Sequence, residues 1–490
     1  MSSQYRSILK ATSIFGGTQV LQLLIQLIRS KFVAVLVGAA GMGLSSMYMS
    51  SLTMIITIFG MGINTSVVRD LSKANDAGDD ERFALIIGVF KKMIIFLSIL
   101  GMVFVIICSP ILSNLSFAND EHIWNYCFLS IIVLFSLLTQ GENALLIGKR
   151  RLKDVAKCSL YGSIVTLITS VPFFYFLRLD GIVPGLIVST IANFLITLNF
   201  SRRVTLPRVV VTKADVKSYG ISILKLGASM VVASILGNVA VYTINTMVTR
   251  IGGIEDLGFF NAGMSLTQNI VLLVFSAMAA DYYPRLVASL KENQLMNETI
   301  NQQTEVLLHL SVPILCLFSI LSPVIIRVLL SDQFLVITSF IRILCFGMFF
   351  KIISYALGYV SFAYGDMKVY LFLEGVYSNT MNVLLSVGMY YLFGLKGIAY
   401  AFVLCFVLYY FIIFYVDRRR YKYHISSQTL KTIVISMIAM TSLLIIDNVF
   451  NGFLYYALAC VIVIVMSIYN IIELNKKTEL FKTIKSFVTK

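Results

Sequence analysis

The chain has 490 residues, of which 58% are apolar and only 13% charged, and its mean hydropathy is +0.88. Soluble domains hold about 45–50% apolar and about 25% charged residues, so an ordinary cytosolic enzyme, a disordered chain and a collagen are excluded, and lipid is the solvent for most of the sequence. The net charge of +15 would suggest nucleic acid in a soluble protein, but its placement assigns it to membrane topology.

A hydrocarbon layer about 30 Å thick needs about 20 apolar residues per helix. Fourteen such runs follow one another: 11–36, 44–66, 93–112, 123–146, 158–178, 182–200, 222–248, 258–280, 306–330, 335–362, 369–393, 397–416, 431–448 and 453–472. In lipid the backbone has to satisfy its own hydrogen bonds, so the runs are predicted helices; barrel strands would be about half as long and strictly alternating. The first run carries Gln19, Gln22, Gln26 and Arg29, and no small-residue cleavage site precedes a soluble domain, so a span is expected there and not a cleavable signal. The seven Cys form no Cys-x-x-Cys and no Cys/His cluster; they read as small hydrophobes, with neither a metal site nor a disulfide framework expected.

Orientation follows from Lys and Arg in the short connections. With the N-terminus in the cytoplasm, 30 of the 39 basic residues fall inside, in clusters such as Lys149–Arg150–Arg151 and Arg418–Arg419–Arg420. The outer connections offer Arg178, Arg250 and Lys396. Both termini are therefore expected in the cytoplasm, with the tail 476–490 lying on the anionic inner leaflet. No role with nucleic acid is expected for the basic connections, and Asp76, Asp79 and Asp80 read as a solvated turn.

The chain also repeats itself. A shift of 215 places Ser7-Ile8-Leu9-Lys10 on Ser222-Ile223-Leu224-Lys225, Gly43 on Gly258 and Met49 on Met264. A shift of 216 places Tyr161 on Tyr377 and Arg202-Arg203 on Arg418-Arg419. Six spans per copy is an even number, so both copies share one orientation, as in transporters that rock two halves about a central site. The expected organisation is a six-helix lobe over 1–203, a cytoplasmic linker over 204–221, a second lobe over 222–420, two additional helices over 421–475 and a basic tail over 476–490.

Polar residues within the spans fall on stripes. Thr12, Gln19, Gln22, Gln26 and Arg29 share an arc of about 100° at 100° per residue. Ser46, Ser50, Thr53, Thr57 and Asn64 share a face of the second span, and Asn261, Ser265 and Gln268 take the matching positions in the eighth. The seventh carries Asn238, Tyr242 and Asn245 on one face. Ser and Thr alone would serve as interhelical glue; three Gln and an Arg on one face point to a water-filled cavity, because each is expensive toward lipid. The cavity is expected between spans 1, 2, 7 and 8. Few ionisable groups lie deeper: Arg342 and Lys351 point to opposite faces of the tenth span, and Glu374 stands alone in the eleventh, where a static ion pair with Lys351 or Arg342 competes with ion coupling. The balance is cationic, which suits anionic cargo. No phosphate-cradling Gly-rich loop, His-Glu-x-x-His or Gly-x-Ser-x-Gly is present, so no enzyme, no ATP hydrolysis and no cofactor is expected.

These residues carry a family resemblance. Ser13-Ile14-Phe15-Gly16-Gly17 running to Arg29-Ser30-Lys31-Phe32, the turn Gly41-Met42-Gly43-Leu44, and Gly60-Met61-Gly62-Ile63-Asn64 leading to Arg69 resemble the polysaccharide flippase branch of the multidrug/oligosaccharidyl-lipid/polysaccharide exporter superfamily. The resemblance implies an all-α polytopic membrane protein of two pseudo-symmetric six-helix lobes plus two C-terminal helices in the bacterial inner membrane. Its cargo would be an oligosaccharide repeat unit on polyprenyl pyrophosphate, with a polysaccharide polymerase and glycosyltransferases as working partners. Arg29 matches the basic position of the first helix. The expected site comprises Arg29 on the pyrophosphate, Arg342 as a second cation, and Gln19, Gln22, Gln26, Asn64, Asn238, Asn245, Asn261 and Gln268 as donors to sugar or phosphate, with Glu374 as the ion-coupling group. The alternatives are a lipid II-type or multidrug exporter of the same superfamily and, behind them, a polytopic glycan polymerase. A multidrug exporter usually places a carboxylate in span 1 or 7, a lipid II flippase usually clusters basic residues across spans 1, 2 and 8, and a polymerase normally carries a long outer loop, features this sequence lacks.

Overall fold

The computed structural model describes residues 3–207, 209–450 and 452–478. Among them all regular structure is helical. The helices are α1 (Ser3–Leu36), α2 (Gly38–Gly60), α3 (Ile63–Asp76), α4 (Asp80–Phe117), α5 (Ile123–Gly148), α6 (Leu152–Leu177), α7 (Ile182–Ser201), α8 (Lys213–Ser289), α9 (Asn293–Leu329), α10 (Thr338–Ala363), α11 (Met367–Tyr370), α12 (Ser378–Phe393), α13 (Leu395–Arg420), α14 (Ser427–Val449) and α15 (Phe453–Thr478).

Eleven stretches among the described residues are long and apolar enough to cross a membrane. They hold thirteen of the predicted spans, because Leu152–Ser201 and Val231–Leu272 contain two each. In the second of these the helical ladder breaks at Gly253, whose φ of 86° and ψ of 177° only glycine adopts readily. The remaining predicted span, 369–393, is divided: α11 leads into a π-helical turn, Leu371–Tyr377, and then into α12. The second predicted span ends earlier than its apolar run, at Gly60, where Met61 and Gly62 both turn left-handed. The chain then enters the amphipathic α3, with Val67, Leu71 and Ala74 buried and Arg69 and Lys73 on its polar side. The basic tail beyond 478 lies outside the described residues.

The helices assemble into two compact units, residues 1–259 with 329–331 and residues 260–328 with 332–490. In the first, Tyr48, Leu52 and Ile55 of α2 pack with Phe83, Phe90 and Ile94 of α4 and Leu129, Val133 and Leu137 of α5. Lipid tails are as apolar as these side chains, so close packing and interhelical hydrogen bonds hold the helices together. The outer faces carry large apolar side chains such as Phe96, Ile107 and Trp124. The aspartates read as a solvated turn are more engaged than expected: Asp79 caps α4 through the Arg82 amide, Asp80 pairs with Lys149 at 2.5 Å and Asp76 with Arg150 at 2.6 Å.

One helix crossing carries the symmetry of the repeat. A Cβ on Gly43 would collide with the Ile254 carbonyl, and a Cβ on Gly258 would collide with the Ala39 carbonyl. Adding 215 to 43 and 39 yields 258 and 254, so each contact is the image of the other, as at a two-fold axis. In the second unit Tyr282, Met296 and Ile300 pack with Ala356 and Val360 of α10 and with Tyr409 and Ile413 of α13.

Candidate functional site

The polar stripe of α1 ends in a cavity of about 380 Å³ shared with α6 and α7. Gln22, Gln26 and Arg29 enter it from α1, one turn apart or nearly so, facing Ser159, Ser163 and Thr166 of α6 and Asn193 of α7. Gly162 keeps the α6 wall open for Asn193: a Cβ there would sit 2.5 Å from Asn193 Oδ1. No acidic residue lines the cavity among the described residues. The Arg29 Nε is buried and has no hydrogen-bond partner among the described residues. A planar guanidinium aimed into a polar hollow with a donor to spare suits an anion with several oxygens, which it engages as a fork. The walls add serine and threonine hydroxyls and side-chain amides, donors that suit phosphate or sugar oxygens.

The structure redistributes the rest of the expected set. Gln22, Gln26 and Arg29 of the α1 stripe meet α6 and α7; the cavity expected between spans 1, 2, 7 and 8 reaches residues whose side chains lie outside those described. Gln19 is exposed and does not line the hollow. The Asn238 amide donates to Thr57 Oγ1 of α2 at 2.8 Å, and Asn245 is buried nearby on the same helix. Asn261 is half-buried and Gln268 lies further along the same helix, both in the second unit. Asn64 lies outside the residues whose side chains are described. Arg342 departs most clearly from expectation. It is buried, pairs with Asp447 of α14, stacks over Tyr455 of α15 at 4.4 Å from the ring centre, and so fastens the last two helices to α10. A guanidinium neutralised this way offers no free charge to cargo.

Glu374 sits in the π-helical turn, on the wall of a second cavity of about 570 Å³ within the second unit. The wide turn frees carbonyls that Asn379 recaptures, its amide donating to Glu374 O at 3.0 Å and Gly375 O at 2.8 Å. The Glu374 carboxylate accepts a hydrogen bond from the Tyr409 hydroxyl at 2.5 Å and lies against Gly358, where a Cβ would stand 2.8 Å from Oε1. Lys351 lines the same cavity, with Nζ 5.5 Å from the centre of the Phe406 ring. Among the described residues neither Lys351 nor Arg342 makes a direct ion-pair contact with Glu374, and Lys351 shares its cavity.

The family model for "Polysaccharide biosynthesis protein" matches residues 8–290, more than half of the chain. The chain belongs to this family. A putative O-antigen transporter of Shigella flexneri is 21% identical over 311 residues, covering 61% of this chain and 71% of that one. The lipid III flippase of Escherichia coli K12 is 20% identical over 430 residues, covering 84% of this chain and all of that one. Among solved structures, the lipid II flippase MurJ in its inward closed conformation superposes with a TM-score of 0.67 at 16% identity, over 96% of this chain and 99% of that one. An inward-facing multidrug resistance MATE transporter superposes with a TM-score of 0.60 at 14% identity, over 81% and 94%. The fold is thus that of the multidrug/oligosaccharidyl-lipid/polysaccharide exporter superfamily, and the chain is a multi-pass membrane protein.

Within this polysaccharide biosynthesis family member, sequence reasoning missed Asn193, Ser159 and the tyrosines around Glu374. Asn193 lies mid-way along the apolar run 182–200 and faces Gly162 of the run before it; an amide deep in one run and a glycine in its neighbour were the available signal. Tyr355 and Tyr359, four residues apart, already shared a helical face.

Proposed function

We propose that this protein is a bacterial inner-membrane flippase that carries an oligosaccharide linked to polyprenyl pyrophosphate from the inner to the outer leaflet by alternating access. The observation that carries the reading is the Arg29 guanidinium: among the described residues its Nε is buried without a partner and no carboxylate lines its polar cavity. A pyrophosphate crossing the membrane needs a matching charge, and Arg29 supplies it on an α1 face shared with Gln22 and Gln26. Membership of the polysaccharide biosynthesis family and likeness to proteins named O-antigen transporter and lipid III flippase support the class of cargo. The basic connections favour both termini in the cytoplasm. A polymerase and glycosyltransferases would act on either side of the transport step. Glu374 is assigned the coupling ion: one carboxylate beside one lysine changes the charge of its cavity with a single proton.

The test is complementation of a strain lacking this gene, read as surface glycan. Arg29→Ala is expected to abolish export while the protein inserts at normal levels, and Arg29→Lys to keep part of it. Full export by Arg29→Ala would reject the assignment. For coupling, Glu374→Gln is expected to lose the response to a collapsed pH gradient; normal, gradient-sensitive transport by that variant would reject it.

A further inference from the structure

The cavity around Glu374 is larger than that around Arg29 and differently built. Six of its lining side chains are aromatic: Tyr355, Tyr359, Phe362, Tyr370, Phe406 and Tyr409. Their rings are held in place. Tyr355 stacks on Phe275 at 4.0 Å and 6°, its hydroxyl lies 3.3 Å from that of Tyr359, and Phe362 packs against Tyr370 at 5.2 Å. Between the rings stand Ser354, Ser378 and Asn379, with Lys351 and Glu374 on the same walls.

A volume near 570 Å³ is in the range of small-molecule sites. An acyl chain would press apolar surface against the Lys351 ammonium and the serine, asparagine and tyrosine polar groups of the wall. A lipophilic cation would meet the Lys351 ammonium on the same walls, which opposes its charge. A pyranose ring fits both features of the wall. Its C–H face packs on aromatic surface through dispersion and weak C–H contacts, and its rim of hydroxyls meets tyrosine and serine hydroxyls and the lysine ammonium.

Resting on the transport reading above, we infer that this cavity is a monosaccharide-recognition subsite for the cargo's glycan, separate from the Arg29 cavity that takes the pyrophosphate. Tyr359, Tyr370 and Phe406 supply the stacking faces, and Lys351 the hydroxyl or carboxylate contact. The subsite gives the protein a means of reading sugar identity that the charged head group, common to all such cargo, cannot provide.

The test uses the full chain in lipid nanodiscs free of glycoside detergent. Saturation-transfer difference NMR is recorded with the methyl pyranosides of glucose, N-acetylglucosamine, rhamnose and glucuronic acid, which span neutral, acetamido, deoxy and acidic sugars. Transfer to at least one is expected, reduced at least fivefold by Tyr370→Ala. Ser378→Tyr, which fills the cavity and removes no packing, should reduce it equally, and Trp124→Ala, at an exposed aromatic side chain that lines neither cavity, should leave it unchanged. No transfer to any of the four, or transfer that survives Ser378→Tyr, overturns the subsite. Flipping of a lipid-linked oligosaccharide by the wild-type protein, measured in parallel, separates the two ideas. Flipping without pyranoside binding rejects the subsite alone, and pyranoside binding without flipping rejects the transport reading.

Discussion

Two arginines within the apolar runs were equivalent by composition, and packing distinguishes them. Arg29 lay on a stripe with Gln22 and Gln26, so its cavity was legible from a helical wheel. Arg342 had no such company, and its partner Asp447 lies 105 residues away in the chain; no periodicity within one helix reveals a pair made between two. The pair is buried, and breaking one side of such a pair costs on the order of 3–5 kcal/mol because the other charge is left stranded. Arg342→Met is therefore expected to lower thermal stability in detergent by that order, and Arg342→Met with Asp447→Leu to recover most of it and still transport. A double variant that is stable but inactive would return Arg342 to the cargo site. The glycine pair is a second residue-scale device. Gly43 was visible as a repeat position, but only the crossing shows why glycine is needed: any side chain there meets the Ile254 backbone. Gly43→Val is expected to cut the folded yield, with fluorescence size-exclusion as the readout; a normal profile would mean that the crossing relaxes easily.

At the scale of elements, helix ends organise the side predicted to face outward. The last carbonyls of a helix lack intrahelical partners, and cations there also meet the negative end of the helix dipole. Arg250 donates to the Asn114 and Leu115 carbonyls at the end of α4, at 2.6 and 2.9 Å, and Arg178 to the Leu36 carbonyl at the end of α1, at 3.0 Å. Tyr242 adds a bond to Ser116 at 3.0 Å, and toward the other end of α2 Asn238 donates to Thr57 at 2.8 Å. The first half of α8 is thereby fastened to α2 and α4. Alternating access requires such a fastening to open, so a reducible cross-linker bridging Thr57→Cys and Asn238→Cys is expected to stop export until reductant is added. Undiminished export with the bridge in place would show that this contact never opens.

The opposite ends carry a different lock. Between α10 and α11, burial alone would raise the Asp366 carboxyl, but the Tyr421 hydroxyl at 3.1 Å, the Val369 amide and the Arg420 guanidinium at 2.6 Å outweigh it and hold it below the usual carboxylate value. A depressed folded-state value stabilises at neutral pH, and that contribution is lost as pH falls through it, below about pH 4. Asp366→Asn should lower the thermal midpoint at pH 7 and flatten its decline in acid. An unchanged acid limb would place the sensitivity elsewhere. The π-helical turn at Leu371–Tyr377 was not legible at all, since an apolar run of the right length says nothing about hydrogen-bond register.

For the whole molecule, length and hydropathy were enough to read a polytopic helical protein, and the duplicated pattern was enough to read an exporter-like plan. What stayed hidden was that Gln22, Gln26 and Arg29 share a cavity with α6 and α7, where Gly162 leaves room for Asn193, because no signal in α1 itself names its neighbours. The basic bias predicts that residues 79, 151 and 420 face the cytoplasm and 180 and 255 the exterior. An impermeant thiol reagent on single-cysteine variants in intact cells should label only the latter pair, and labelling at 151 would invert the topology. The molecule is proposed to move a pyrophosphate-linked glycan, with Arg29 holding the charge. This is tested most directly in proteoliposomes loaded with a fluorescent polyprenyl-pyrophosphate oligosaccharide, by the fraction that becomes accessible to an external, membrane-impermeant quencher. Accessibility should rise well above that of protein-free vesicles with the wild-type chain and remain at the protein-free level with Arg29→Ala. Equal accessibility for wild type, Arg29→Ala and empty vesicles would contradict it.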